Sequence, residues 1–193
     1  MAKVKSDIMP NFAEASNKRI FDTGIKWLWI CVIFFIIDQW TKQFAVTHLS
    51  YREVFEVMPF FNFTLVYNEG AAFSFLADQG GWQVYFFTTV SSVVSLGLLY
   101  WLYTLNGKKE WWLSVSLSLI LSGAMGNLYD RVTMGKVVDF IDWYYGTYHF
   151  PAFNVADAVI FLGAAMMLWD SFFIAPAIQK AQDRKKNETT NDK

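Results

Sequence analysis

Residues 82–129 read WQVYFFTTVSSVVSLGLLYWLYTLNGKKEWWLSVSLSLILSGAMGNLY, and this stretch decides the fold. It contains two runs, 82–105 and 111–129, without any Asp, Glu, Lys, Arg or His, and the short polar turn NGKKE joins them. A helix needs about 20 apolar residues to cross about 30 Å of hydrocarbon. The stretch therefore predicts two membrane-spanning helices connected by a tight turn.

Two further apolar runs flank this pair, at about 22–47 and 154–178. The chain of 193 residues is 54% hydrophobic and 19% aromatic with only 17% charged residues, which is more apolar than a soluble domain. We predict an all-α membrane protein of four transmembrane helices. Its membrane domain covers residues 20–178, between polar tails at 1–19 and 179–193.

The first run could instead be a cleavable signal peptide, because basic residues precede its apolar core. No small-x-small cleavage site follows the run, and the chain continues into Asp38-Gln39-Trp40-Thr41-Lys42. We therefore predict an uncleaved first span.

Basic residues are distributed unevenly and predict the orientation of the spans. Twelve of the 16 Lys and Arg precede the first span or lie at its start, lie between the second and third, or follow the fourth. Cytoplasmic segments of membrane proteins carry such an excess. We therefore expect both termini to be cytoplasmic and the long loops 48–81 and 132–153 to face outward.

The outer loops contain two features beyond helices. Residues 61–68, FNFTLVYN, alternate with period two for most of their length, which predicts a half-buried strand. Trp143, Tyr144, Tyr145 and Tyr148 are typical of a segment lying on the membrane surface at the headgroup level.

Two aspartates lie in apolar surroundings near the predicted outer membrane border. Asp139 is in KVVDFI, residues 136–141, and Asp157 is in FNVAD, residues 153–157. A charge at membrane depth costs roughly 2.5–3.5 kcal/mol on insertion scales and is rarely placed there without a function. Two carboxyl groups that share one proton are typical of an aspartyl hydrolase.

Asn127, Asp130 and Arg131 share one helix face at the outer end of the third span, because they are spaced i, i+3, i+4. The structural alternative is an ion pair at the membrane border, formed by Asp130 with Arg131 or another partner. Gly123 and Gly126 beside them allow close approach of a second backbone.

Asn154 and Asp157 are one helical turn apart at the predicted start of the fourth span. A capping Asn and a first-turn Asp are the structural alternative for either residue. Asp38 and Lys42, four residues apart, predict an intrahelical ion pair with a structural role. No capping pattern explains Asp139.

Five motifs, in this order, resemble those of the lipoprotein signal peptidases, the signal peptidase II family. They are Asp38-Gln39-x-x-Lys42, Asn68-x-Gly70-Ala71-Ala72-Phe73-Ser74, Gly123-Ala124-x-Gly126-Asn127-x-x-Asp130-Arg131, Val138-Asp139-Phe140 and Phe153-Asn154-x-Ala156-Asp157. The resemblance covers roughly residues 20–178 and implies a membrane-embedded aspartyl endopeptidase with an extracytoplasmic β-cradle in the bacterial cytoplasmic (inner) membrane.

The resemblance also implies the substrate, the cleavage site and the site residues. The substrate would be a diacylglyceryl-modified prolipoprotein, cleaved just before its lipidated cysteine on the extracytoplasmic side. Membrane lipid and cyclic peptide inhibitors would be further partners, and no cofactor or metal would be needed. Asp139 and Asp157 match the catalytic aspartates. The matching substrate-binding or supporting positions are Asn68, Gly70, Asn127, Arg131, Asn154, Asp38, Asp130 and Lys42.

Two other functions compete with a peptidase. Buried carboxylates also mark the ion pathways of proton-coupled carriers, although the sequence has no internal repeat. A non-catalytic assembly subunit could pair its charges with another chain.

Cys31 is the only cysteine, and His48 and His149 lack ligand spacing, so we expect neither a disulfide nor a zinc site. A net charge of -1 gives no indication of a nucleic-acid partner.

Overall fold

The computed structural model describes residues 19–70 and 82–191. Within these residues four helical segments are long and apolar enough to cross a membrane, which confirms the predicted four-span, mostly helical architecture. Three of these segments are formed by α1 (Leu28–His48), α2 (Trp82–Thr104) and α3 (Trp111–Met134). The fourth, Val155–Ala181, begins with α4 (Val155–Trp169) and continues into the helical turns that follow it. Most of the predicted N-terminal tail and residues 71–74 of the second motif lie outside the described residues.

Three helix boundaries differ from the prediction. Two 3-10 turns, Ile20–Asp22 and Gly24–Trp27, precede α1. The third helix continues past residue 129 to Met134 and ends at Gly135, whose φ of 71° is left-handed. After α4, a π-helical turn, Asp170–Ile174, leads into α5 (Ala175–Asn191). Most of the predicted C-terminal tail is therefore helical.

A four-stranded antiparallel sheet lies beside the helix ends, with strand order β1-β2-β3-β4. Its strands are β1 (Val54–Met58), β2 (Phe61–Asn68), β3 (Val137–Tyr145) and β4 (Tyr148–His149). The predicted strand at 61–68 is confirmed as β2. The membrane-surface segment predicted around Trp143 is a strand hairpin, β3–β4, with Trp143, Tyr145 and Tyr148 exposed.

Helix α3 is the centre of the bundle, since it packs against α1, α2 and α4. A Cβ at Gly123 would collide with the carbonyl oxygen of Ala156, and one at Gly126 would lie 2.5 Å from Asp38 Oδ2. The predicted close approach at these glycines is confirmed. It brings α1, α3 and α4 together at the level of the polar side chains.

Candidate active site

Asp157 is held by the capping structure that begins α4. Asn154 is the N-cap residue, and its Oδ1 accepts a hydrogen bond from the backbone N–H of Asp157 at 2.9 Å. Asp157 Oδ2 in turn accepts from the backbone N–H of Asn154 at 3.3 Å. The structural alternative for this pair, a capping Asn with a first-turn Asp, is therefore present. The other carboxylate oxygen of Asp157 accepts from Asn127 Nδ2 at 2.8 Å, so the cap holds this group toward α3.

Asp139 lies on β3 and faces the same cluster. Its Oδ1 accepts a hydrogen bond from Asn154 Nδ2 at 2.7 Å, and its Oδ2 accepts from Asn68 Nδ2 on β2 at 3.1 Å. The residue is only 2% exposed. Because Asn154 contacts both aspartates, its single side chain links the strand that carries Asp139 to the helix that carries Asp157.

The environment of Asp139 favours its protonated form. Burial, and then the negative charge of Asp157, raises the pKa of Asp139 to about 7. Hydrogen bonds from Asn68 and Asn154 and the positive charge of Lys42 act in the opposite direction without cancelling the effect.

A buried ion cluster on α1 and α3 lies next to the two aspartates. Lys42 Nζ is 2.9 Å from Asp38 Oδ2 and 2.9 Å from Asp130 Oδ2, and all three side chains are at most 3% exposed. The predicted Asp38–Lys42 pair is confirmed. The partner of Asp130 is Lys42 on α1, not the neighbouring Arg131.

Gly70 and Arg131 border the cluster on its α2 side. The backbone N–H of Gly70 donates to Asn68 Oδ1 at 2.9 Å, which leaves Asn68 Nδ2 for Asp139. Gly70 has φ of 104°, and a Cβ there would lie 2.5 Å from the ring of Phe87. Arg131 Nη1 donates to the backbone carbonyl of Asn127 at 3.3 Å, and its guanidinium is 5.4 Å from the Phe87 ring centroid.

The two proposed catalytic aspartates and the eight supporting residues predicted from the sequence thus form one network of hydrogen bonds and ion pairs. One member of the network had no predicted role. Gln39 Nε2 donates to Asp130 Oδ1 at 3.0 Å, to Asp38 Oδ2 at 3.2 Å and to the carbonyl of Gly126 at 3.2 Å. Its position between Asp38 and Lys42 in the first motif was the available signal.

A second polar cluster on the sheet was also missed. Asn62 Nδ2 donates to Asp142 Oδ2 at 3.0 Å, and His149 Nδ1 lies 2.9 Å from the same oxygen. These residues are on β2, β3 and β4. No spacing rule connects them in the sequence, because only the strand register brings them together.

Comparison with known proteins gives consistent results. The family model described as signal peptidase (SPase) II matches residues 30–173. The lipoprotein signal peptidase of Acinetobacter baumannii is 48% identical over 176 residues, which are 91% of this chain and 99% of the relative. The lipoprotein signal peptidase of Acinetobacter baylyi is 50% identical over 165 residues, 85% of this chain and 92% of the relative.

Two solved structures, both described as "Bacterial membrane enzyme structure by the in meso method", share the fold. The one at 2.3 Å resolution has a TM-score of 0.65 and 33% identity and covers 83% of this chain and 91% of its own. The one at 1.9 Å resolution has a TM-score of 0.68 and 34% identity and covers 77% of this chain and 93% of its own.

Proposed function

The chain belongs to the signal peptidase II family, and from this premise we propose that Asp139 and Asp157 are its catalytic pair. It is a multi-pass membrane peptidase that removes signal peptides from prolipoproteins. The observation that carries the proposed aspartic mechanism is the contact of one side chain, Asn154, with both aspartates. Membership of this peptidase family does not favour the alternative function of a proton-coupled carrier.

In the proposed mechanism the two carboxyl groups have different roles. Asp139 is buried and holds the proton near neutral pH, whereas Asp157 is half-buried and acts as the base. A water molecule transfers a proton to Asp157 as its oxygen adds to the scissile carbonyl carbon. Asp139 donates a hydrogen bond to the carbonyl oxygen. The C–N bond then breaks, and the leaving nitrogen takes a proton from the pair, so no covalent enzyme intermediate forms.

The neighbouring polar residues orient this pair and the substrate. Asn68, Asn127 and Asn154 each donate to one of the two aspartates and so fix the directions of their oxygens. Arg131 has a buried Nε that makes no hydrogen bond within the described residues. We assign it to the carbonyl groups of the substrate peptide, which such a donor can bind.

The proposed substrate is a prolipoprotein whose cysteine carries a diacylglyceryl group, cleaved just before that cysteine. Apolar side chains on the outer surfaces of the helices, such as Leu96 at 67% and Phe161 at 77% exposed, suit contact with lipid. Acyl chains can therefore remain in the membrane while the peptide reaches the aspartates. Cyclic peptides that occupy the same position would be inhibitors.

The proposed location is the bacterial inner membrane, with both termini in the cytoplasm and the aspartates toward the extracytoplasmic side. The uneven distribution of Lys and Arg supports this orientation.

The substrate proposal is tested with the purified chain in detergent. A diacylglyceryl-modified prolipoprotein and its unmodified precursor are incubated with it, and the products are identified on a gel and by mass spectrometry. We expect cleavage before the cysteine of the modified form only, because acyl burial contributes about 0.8 kcal/mol per CH₂ to anchoring. Equal rates for the two precursors would contradict the role of the lipid. Proton transport into sealed vesicles that contain the chain, without cleavage of either precursor, would favour a carrier.

A further inference from the structure

Lys42 has more contacts than a simple intrahelical ion pair requires. An ammonium group has three N–H donors and no acceptor. All three directions are used, because Nζ is 2.9 Å from an oxygen of each of Asp38, Asp130 and Asn127. The side chain is 3% exposed, so water does not replace any of these partners.

The two carboxylates bound to Lys42 also bind the backbone next to the proposed catalytic residues. Asp38 Oδ1 accepts from the backbone N–H of Ala156 at 2.8 Å, and Asp130 Oδ2 accepts from the backbone N–H of Val138 at 3.2 Å. Ala156 immediately precedes Asp157, and Val138 immediately precedes Asp139. One ammonium group therefore connects the backbone positions of both aspartates.

We propose that Lys42 is a positioning residue that sets the separation and orientation of Asp139 and Asp157, acting through Asp38, Asp130 and Asn127. This inference rests on the proposed function, in which those two aspartates form the catalytic pair. Lys42 does not contact either aspartate by a hydrogen bond or ion pair, so it is not itself a catalytic residue.

The third bond of Lys42 determines which way the Asn127 amide points. Because an ammonium group can only donate, the atom of Asn127 that faces it must be the carbonyl oxygen. The amide nitrogen is then directed to Asp157 Oδ1 at 2.8 Å. Asn127 Oδ1 also accepts from Asn154 Nδ2 at 3.2 Å, which adds a second link to the amide that contacts Asp139.

The charge of Lys42 also acts on Asp139 directly. Burial and the charge of Asp157 raise the pKa of Asp139, and the positive charge of Lys42 partly opposes them. A neutral residue at position 42 should therefore raise this pKa further. This effect comes from the charge itself, so it shows whether the ammonium group acts at Asp139 independently of any change in stability.

The test compares Lys42→Met, Lys42→Arg and the matched control Lys26→Met in the purified chain, with the lipidated prolipoprotein as substrate. Lys26 lies in the 3-10 turn before α1, with Nζ 5.4 Å from the ring of Trp27. Among the described residues, no hydrogen bond or ion pair joins its side chain to Lys42, Asp38 or Asp130. Values of kcat and KM, the pH dependence of the rate and the thermal midpoint are measured on the same samples.

For Lys42→Met we expect kcat to fall about 10²-fold with KM largely unchanged, because a displacement of about 1 Å at a reacting group has this effect. The alkaline limb of its pH profile should move to higher pH. Lys42→Arg keeps the charge, so its limb should coincide with that of the unmodified chain while kcat falls. Lys26→Met should match the unmodified chain in kcat and pH profile.

A folded Lys42→Met protein with full kcat and an unshifted limb would overturn the proposal, as would full kcat in a folded Lys42→Arg protein. If Lys42→Met does not accumulate, Lys42→Gln replaces it and is judged by the same criteria. If instead Asp139→Asn and Asp157→Asn retain activity, the proposed function itself fails. If both aspartate variants are inactive while Lys42→Met has the kcat and pH profile of the unmodified chain, only the positioning role is refuted.

Discussion

At the scale of single residues, Asn154 has two functions that the sequence presents as alternatives. Its Oδ1 caps α4, and its Nδ2 donates to Asp139. The cap determines the amide orientation, because Oδ1 must face the N–H of Asp157. A helix cap and a contact with a proposed catalytic aspartate are therefore compatible in one side chain. Spacing alone cannot reveal this, since it does not show that β3 passes beside the cap.

The pKa of Asp139 predicts the alkaline limit of activity. Burial, followed by the charge of Asp157, raises this pKa to about 7, and the proposed mechanism needs the protonated form. We expect kcat/KM to fall about tenfold per pH unit above about pH 7. The measurement is the cleavage rate at low substrate concentration over this range. A rate that stays constant to about pH 9 would contradict a proton-donating Asp139.

The same shift predicts a pH effect on stability. A carboxyl whose pKa is higher in the folded state binds its proton more tightly there than in the unfolded chain. Its favourable contribution is complete below the unfolded pKa of about 3.9 and is lost as the pH rises to about 7. Between these pH values we expect the thermal midpoint of Asp139→Asn, measured in detergent, to rise relative to that of the unmodified chain. A pH-independent difference would contradict the shift.

At the scale of elements, the close contact of α3 with α4 depends on Gly123. A Cβ there would meet the backbone carbonyl of Ala156, which cannot rotate away. We expect Gly123→Ala to reduce the free energy of unfolding by about 1–3 kcal/mol through overpacking. Gly97→Ala on α2 is the control, because nothing lies within 4 Å of a Cβ at that position. Equal thermal midpoints for the two variants in detergent would refute the close contact.

Elements with a clear period or composition could be predicted from the sequence, and others could not. Strand β2 alternates, and the second and third spans lack charges, so both kinds of element were identified. Strand β3 was missed because its first four residues, Val137–Phe140, are all buried and give no alternation. The end of α3 was placed too early because Asp130 looks like a border charge, whereas its pairing with Lys42 allows it to stay buried within the helix.

At the scale of the whole molecule, the candidate site is built from α1, α3, α4, β2 and β3. The motifs singled out residues that the structure brings together, but they did not indicate which of these residues touch. For example, Asp38 and Ala156 are 118 residues apart and yet are joined by a hydrogen bond. Such pairings follow from how the helices pack, and no local pattern in the sequence specifies them.

The proposed orientation in the membrane predicts opposite labelling of two exposed turns. Lys108→Cys in the α2–α3 turn should react with an impermeant thiol reagent only from the cytoplasmic side, and Thr147→Cys in the β3–β4 turn only from outside. Both are made in a Cys31→Ala background, since Cys31 is the only native thiol. Lys108 is preferable to Gly107, where a side chain would collide with the carbonyl of Thr23. Labelling of both sites from one side would refute the orientation.

The proposed catalytic pairing of Asp139 with Asp157 is tested most directly by measuring the cleavage of a lipidated prolipoprotein by Asp139→Asn and Asp157→Asn. Amide replacements keep the shape of each side chain, so insertion and substrate binding should persist, as measured by thermal midpoint and by co-purification of the substrate. We predict no detectable product from either variant, and full activity of the unmodified chain in excess EDTA. Substantial turnover by either folded variant, or complete loss of activity with the chelator, would contradict a catalytic pair of aspartates.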